Sequence, residues 1–169
     1  MPVMRTLRDV IDHYADAQPD APFLFAPEPG SVVTYGELRE SSRALAGFLA
    51  DAGVLPGEVV SFMLPNGAAA ATLLLGTMVA GYVVSPLNLL AQDAHLEYTL
   101  AHSDTRLVFA APEFVDRIRR LLGTTGRRVT VRATDPDLLH DAPHTMPVGR
   151  LDEAYAARCL NLCWKAPEE

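Results

Sequence analysis

An uncharged stretch, residues 59–92, restricts the fold of this chain more than any other feature of its sequence. Its length raises the question of a membrane-spanning helix, which needs about 20 consecutive apolar residues. However, Pro65 and Pro86 lie within it, and Gly81 interrupts it shortly before the β-branched pair Val83–Val84. Glycine frequently ends a helix, and β-branched residues favour strands. We therefore predict a buried helix that leads into a buried strand, and no membrane span.

The residues from Glu58 onward alternate between short apolar runs and segments with helical periodicity. Such alternation is typical of βαβ units, in which helices connect parallel strands. The predicted fold class is therefore α/β, with a βαβ-type, mostly parallel sheet flanked by helices. The predicted strands are 59–63, 82–85, 106–110 and 128–132, and the predicted helices between them are 68–80, 93–102 and 113–122.

The helix predicted at 68–80 is apolar on nearly all of its sides. Because both faces of a parallel sheet must be covered, this helix is expected to lie between the sheet and a second layer. The sequence does not show whether this chain contains that second layer. The helix is accordingly the first candidate for an exposed apolar surface through which the chain would self-associate.

The amino-terminal third of the chain carries two helix-start signals. Thr6 and Thr34 are each followed, three residues later, by a carboxylate, so that hydroxyl and carboxylate can each bond the other residue's backbone amide. Between these two predicted helices, a segment rich in proline and glycine separates two short apolar runs, which predicts a β-hairpin. The predicted hairpin strands are 22–25 and 31–33, and Gly53 is expected to end the second helix.

Composition excludes several classes of function. The net charge is -7 and the isoelectric point is about 5.2, so the chain would repel nucleic acid and anionic membrane surfaces. Hydrophobic residues make up 49% of the chain, enough for a buried core, and two cysteines are too few for a disulfide-stabilised domain. Arg8 and Asp9 interrupt the amino terminus where a secretory leader would need an apolar core. We therefore predict a cytoplasmic protein that does not bind nucleic acid.

Two pairs of histidines are the first candidates for metal ligands. His140 and His144 are four residues apart, the spacing that holds zinc on a helix face, but Pro143 would break such a helix. They are predicted to lie in an irregular loop. His95 and His102 fall on one predicted helix about 10 Å apart along its axis, too far to share a metal ion.

The cysteines and serines give no catalytic signal either. Cys159 and Cys163 are not spaced as a redox pair, and no second pair accompanies them to form a zinc ribbon. None of the serines considered as a nucleophile lies in the turn sequence Gly-x-Ser-x-Gly, in which hydrolases place that residue; they are Ser41, Ser42, Ser85 and Ser103.

The segment 123–126, Gly-Thr-Thr-Gly, has the composition of a phosphate-binding loop and is followed by two arginines. A phosphate loop follows a strand and opens a helix, so that backbone amides and the helix dipole face the anion. This segment instead follows a predicted helix and precedes a predicted strand. We therefore predict a helix end and a turn.

Two segments, 34–38 and 79–88, resemble in order and separation the first two core motifs of the AMP-forming acyl-CoA synthetase superfamily, the adenylate-forming enzymes. Residues 54–66 and 96–109 also resemble the family. The sequence Pro-Leu-Asn that ends the second motif is more similar to the acyl- and aryl-CoA ligases than to the amino-acid-activating domains. The likeness is close over residues 6 to about 122 and weak from 129 to 169.

The resemblance implies that the chain corresponds to roughly the opening third of a ligase, within its large N-terminal domain. It places an α/β N-terminal subdomain at 1–132 and an irregular loop, a short helix and a truncated segment at 133–169. Family members form an acyl-adenylate from ATP and a carboxylic acid, and then transfer the acyl group to a thiol. The complete enzyme would therefore use ATP, magnesium, coenzyme A and a small carboxylic acid.

The family's catalytic motifs are not found in this chain. They include a phosphate loop ending in Pro-Lys-Gly and an adenylating lysine, whereas residues 166–169 resemble only the approach to that loop. We therefore predict that this chain contains no catalytic, cofactor-binding or metal-binding residues, and that it is inactive without its partner, the remainder of the ligase.

Two other hypotheses remain open. The main alternative is a stand-alone small-ligand binding or regulatory module with the same scaffold, whose ligand would lie at the ends of the parallel strands. The third hypothesis is an unrelated flavodoxin-like domain, which requires both motif matches to be coincidental.

Overall fold

A computed structural model of the chain describes residues 6–26 and 31–136. Helices and strands alternate in most of this region, as the sequence predicts. The elements are α1 (Leu7–Ala17), β1 (Pro22–Ala26), β2 (Ser31–Thr34), α2 (Tyr35–Asp51), β3 (Val59–Met63), α3 (Ala68–Val79), β4 (Val83–Pro86), α4 (Asp93–His102), β5 (Thr105–Ala110), α5 (Pro112–Thr125) and β6 (Thr130–Ala133).

Both predicted capping boxes are present. At the start of α1, the Asp9 amide donates to Thr6 Oγ1 over 3.1 Å, and the Thr6 amide donates to Asp9 Oδ2 over 3.0 Å. At the start of α2, Thr34 and Glu37 exchange the same two hydrogen bonds, of 3.2 and 2.8 Å. Each threonine cap contributes about 1 kcal/mol to helix stability.

The main sheet has four parallel strands in the order β4-β3-β5-β6. Helices flank both of its faces, which confirms the predicted α/β fold class. Alternate residues of β3 point to opposite sides: Val60 and Phe62 belong to the apolar cluster shared with α2 and α3, and Met63 belongs to the cluster shared with α4 and α5. The separate hairpin of β1 and β2 is antiparallel, also as predicted.

Helix α3 is only partly covered by the described residues: five of its twelve residues are buried, six are partly buried and Met78 is 49% exposed, so its role in self-association stays a prediction. Leu73 and Leu74 pack against the cluster between the helices and the sheet. On the opposite side, α1, α2 and the hairpin supply the second layer that the sequence did not identify. Five buried residues from these elements and α3 form its core: Ile11, Val33, Leu38, Ala68 and Val79.

Helix α5 is longer than predicted. The sequence places its end at Leu122, but the helix continues to Thr125 and ends at Gly126, which has a φ of 68°. The hydroxyls of Thr124 and Thr125 donate to the Leu121 and Leu122 carbonyl oxygens over 2.6 and 2.9 Å. These bonds give both threonine hydroxyls a hydrogen-bond partner within the last turn of the helix. The helix therefore continues through a segment whose composition favours a helix end.

Several predictions fall on residues outside the described ranges. They include most of the loop at 133–148, the helix at 151–157, the pair His140 and His144, and the two cysteines. The division of the chain at residue 132 also stays a prediction. In the part of the chain that the structure describes, no helix is both long enough and apolar enough to span a bilayer.

Two buried threonines differ in hydrogen bonding. Thr77 Oγ1 in α3 has no hydrogen-bond partner among the described residues, although the residue is only 1% exposed. Thr105 Oγ1, in a residue that is also 1% exposed, contacts Ser61 Oγ at 2.7 Å and Ser103 Oγ at 2.6 Å. The three hydroxyls form a chain between β3, β5 and the turn before β5.

Substitution of Thr77 with valine is expected to raise the free energy of unfolding by about 1 kcal/mol, because a methyl group replaces an unpaired buried hydroxyl of similar size. The matched change Thr105→Val should instead lower it by about 1–3 kcal/mol, since Ser61 and Ser103 lose their partner. Urea unfolding of both variants measures the difference. A loss of stability in the Thr77 variant equal to that in the Thr105 variant would contradict this prediction.

Candidate functional site

The carboxyl ends of β3 and β5 meet at the point where the sheet changes winding direction. After β3 the chain leaves through α3 on one face of the sheet, and after β5 it leaves through α5 on the other face. In open α/β sheets, ligands bind in the crevice that this divergence creates. The crevice is therefore the candidate site in the described part of the chain.

Backbone groups and apolar side chains surround this crevice. Leu64 and Ala111 are buried at the ends of the two strands, and the Ala111 amide donates to the Met63 carbonyl oxygen over 3.0 Å. The residues that precede α3 and α5, Gly67 and Ala111, make no side-chain capping bond. Residues 59–67 and 107–112, which form the two strand ends, contain no ionisable side chain. These segments therefore supply no acid or base to the crevice, and their one hydroxyl, Ser61 Oγ, is buried and hydrogen-bonded to Thr105 Oγ1.

The Gly-Thr-Thr-Gly segment does not have the arrangement of a phosphate-binding loop. The Gly-Thr-Thr-Gly segment is the end of α5, as predicted, and its two threonine hydroxyls are bonded to helix carbonyls. The carboxyl end of a helix carries partial negative charge, which disfavours a phosphate. Within residues 6–26 and 31–136, no group of three or more His, Cys, Asp or Glu side chains could hold a metal ion.

The two histidines of α4 do not form a shared site. Both are exposed, and His102 stacks on the ring of Tyr98 with 4.1 Å between centroids. His102 Nδ1 also lies 2.7 Å from the Tyr98 carbonyl oxygen. His95 lies two helical turns away, as the sequence predicts.

Arginines hold both ends of α4 against α5 and the turn after it. Arg117 donates to Asp93 Oδ1 over 2.8 Å and to the Ala91 carbonyl oxygen over 2.6 Å, and Arg120 donates to Asp93 Oδ2 over 2.7 Å. At the other end, Arg127 donates to the Ala101 carbonyl oxygen over 2.7 Å. Sequence reasoning missed these contacts, because they join residues more than twenty positions apart.

The arginines lower the pKa of two aspartates. Hydrogen bonds from Arg120 and then Arg117 lower the pKa of Asp93, and the hydrogen bond from Arg127 lowers the pKa of Asp104. A carboxylate whose pKa is lower in the folded than in the unfolded state stabilises the fold above its unfolded pKa. That contribution is lost as the pH falls through the folded pKa.

We therefore expect the free energy of unfolding to fall as the pH is lowered from about 5 to 2, the range in which such paired carboxylates become protonated. The Asp93→Asn variant should lose part of this pH dependence, because its side chain does not titrate. Urea unfolding at a series of pH values measures it. A matched variant, Asp116→Asn, changes a fully exposed aspartate and should keep the pH dependence of the unmodified chain. Identical pH profiles for the Asp93 variant and the unmodified chain would refute the prediction.

Comparison with known proteins identifies the family of this chain. The family described as AMP-binding enzyme matches residues 11–156. The sulfoacetate–CoA ligase of Cupriavidus necator is 44% identical over 153 residues, which cover 86% of this chain and 30% of that protein. The structure of a fatty acyl CoA synthetase of Mycobacterium tuberculosis superposes with a TM-score of 0.72 at 20% identity, over 85% of this chain and 30% of that one. The second likeness supports the fold alone.

One shorter match is to an enzyme that is not named as a ligase. Over 34 residues, 20% of this chain, the sequence is 65% identical to a probable glycine dehydrogenase (decarboxylating) subunit 2 of Nitrosospira multiformis. It covers only 7% of that protein, so it carries no argument about activity. The family match and the ligase match each cover most of the chain, and they agree with the two core motifs at 34–38 and 79–88. The chain therefore belongs to the AMP-binding enzyme family, in which its relatives include CoA ligases.

Proposed function

We propose that this chain is the N-terminal scaffold of an ATP-dependent acid–thiol ligase that forms an acyl-adenylate and then an acyl-CoA. The observation that carries the proposal is the 44% identity to sulfoacetate–CoA ligase over 86% of this chain. The chain spans 30% of the length of that relative, so the activity belongs to a longer protein. The complete enzyme would use ATP, magnesium and coenzyme A, and we expect it to act in the cytoplasm.

We further propose that the chain is inactive alone. The two segments at the strand ends contain no ionisable side chain, and the described residues include no group of three or more His, Cys, Asp or Glu side chains that could hold a metal ion. Adenylate formation needs groups that stabilise the charge of the transferring phosphoryl group and position the attacking carboxylate. In this proposal, those groups come from the remainder of the ligase.

The proposed substrate class is a carboxylic acid. The relative at 44% identity is named for sulfoacetate. The second core motif is more similar to the acyl- and aryl-CoA ligases, so fatty and aromatic acids are also proposed substrates. We expect the acyl pocket to be built mostly from segments outside this chain, so the residues of this chain do not select among these acids.

Acid-dependent exchange between ATP and pyrophosphate tests the inactivity of the chain. We expect no exchange and no thioester with sulfoacetate, benzoate or octanoate in the presence of coenzyme A and magnesium. The Cupriavidus necator ligase, assayed with sulfoacetate in parallel, shows that the conditions are adequate. Exchange by the chain above the protein-free blank would refute its inactivity.

A chimeric ligase tests the scaffold role. In it, the matched segment of the Cupriavidus necator enzyme is replaced by this chain. We expect the chimera to fold and to form an acyl-CoA from sulfoacetate. A chimera that folds but makes no acyl-adenylate would contradict the proposal that this chain can replace the N-terminal scaffold of that ligase.

The alternative, a stand-alone binding module, is favoured by one observation: the point between β3 and β5 at which the sheet changes winding direction lies within this chain. Calorimetric titration with ATP, AMP, coenzyme A and the same three acids tests it. Heat of binding with any of them would support the module, whereas uniformly absent heat would leave it without support.

A further inference from the structure

One face of the β1–β2 hairpin exposes apolar side chains. Phe25 is 67% exposed and Val32 is 42% exposed, and the two residues are direct cross-strand partners. The adjacent pair, Leu24 and Val33, packs instead in the cluster with α1, α2 and α3. We call the side formed by Phe25 and Val32 the outer hairpin face.

The hairpin has the sequence pattern of strands that are covered on both faces. An antiparallel pair with one solvated face normally alternates apolar and polar residues. Here both the inner pair and the outer pair are apolar, and residues 22–26 and 31–34 carry no charged side chain. The hairpin also forms a sheet of only two strands, an arrangement that is marginal without further packing or further strands.

The remainder of the ligase is the occupant that the comparisons favour. This chain spans 30% of the length of the sulfoacetate–CoA ligase and 30% of the fatty acyl CoA synthetase chain. The larger part of each relative therefore lies outside the region that this chain spans. Resting on the proposed function, we propose that the outer hairpin face binds an apolar segment of that remaining ligase polypeptide.

The double variant Phe25→Thr with Val32→Thr tests this contact, first in the chain as it stands. The described residues leave both side chains largely exposed, so we expect the urea midpoint to move by less than about 0.3 M. Threonine keeps the β propensity of the strands. Light scattering of the same two proteins over a range of concentrations tests the competing occupant. A reversible dimer that the double variant dissociates would overturn the proposal in favour of a second copy.

The same double substitution is then made in the chimeric ligase described above. There we expect the thermal midpoint to fall by about 3 °C or more, because two covered apolar side chains are lost. The control variant Leu55→Thr changes a leucine that is 64% exposed outside the hairpin and should leave the midpoint unchanged.

The two possible failures are distinguishable. If the unsubstituted chimera folds and forms acyl-CoA but the double variant melts at the same temperature, the proposed contact is overturned and the proposed function stands. If the unsubstituted chimera itself fails to fold or to act, the proposed function fails, and the contact that rests on it fails too.

Discussion

Replacing Leu100 with alanine is expected to lower the free energy of unfolding by about 2–5 kcal/mol. Leu100 lies in α4 with 0% exposure and belongs to the cluster between the sheet and the helices α4 and α5. Ile118 of α5 is also fully buried in that cluster. Truncation therefore removes buried methyl groups and leaves a cavity that the neighbouring side chains fill only in part. Urea or thermal unfolding monitored by circular dichroism measures the loss.

Leu90 provides the control for this change. It lies just before α4 and is 92% exposed, so Leu90→Ala removes the same atoms without opening a cavity. We expect its free energy of unfolding to stay within about 0.5 kcal/mol of the unmodified chain. Equal losses in the two variants would mean that α4 does not pack as described.

The variant Gly76→Val is expected to lower the free energy of unfolding by about 1–3 kcal/mol. A Cβ at Gly76 would lie 3.1 Å from Leu45 Cδ2 and 3.5 Å from Ser42 Oγ. Helices α2 and α3 approach each other closely there, so a branched side chain forces them apart or displaces Leu45. Denaturant unfolding gives the magnitude.

Gly123 is a matched position for the same substitution. It lies inside α5, and a Cβ there would meet no atom within 4 Å. Valine is slightly more favourable than glycine in a helix, so Gly123→Val should leave the stability unchanged or raise it by a few tenths of a kcal/mol. If both variants lose the same stability, the close contact with Leu45 does not explain the Gly76 result.

Local signals predicted the elements well because each depends on neighbouring residues. Thr34 and Glu37 form the start of α2 through bonds within four residues, independently of what the helix packs against. The uncharged stretch was likewise correctly divided into β3, α3 and β4. The end of α5 was less predictable, because the hydroxyls of Thr124 and Thr125 return to the helix backbone.

Contacts between distant segments were not predictable from one sequence. The burial of α3 depends on α1 and the hairpin, whose strands lie more than thirty residues earlier in the chain. The arginines that hold α4 act across similar separations. The crevice between β3 and β5 was foreseen only in general terms, because its position requires the strand order.

The chain of hydroxyls between Ser61, Thr105 and Ser103 sets the alignment of the two central strands. Strands β3 and β5 pair with an irregularity between Val59 and Val60, next to Ser61, and we consider an alternative pairing shifted there by one residue. Such a shift turns every side chain of a strand to the opposite face. It would separate the buried hydroxyls, each costing about 1–3 kcal/mol when left without a partner. The free-energy cost of leaving these hydroxyls unpaired in a shifted alignment exceeds the net stability that their hydrogen bonds add to the native alignment. The three small polar residues therefore disfavour the misfolded state.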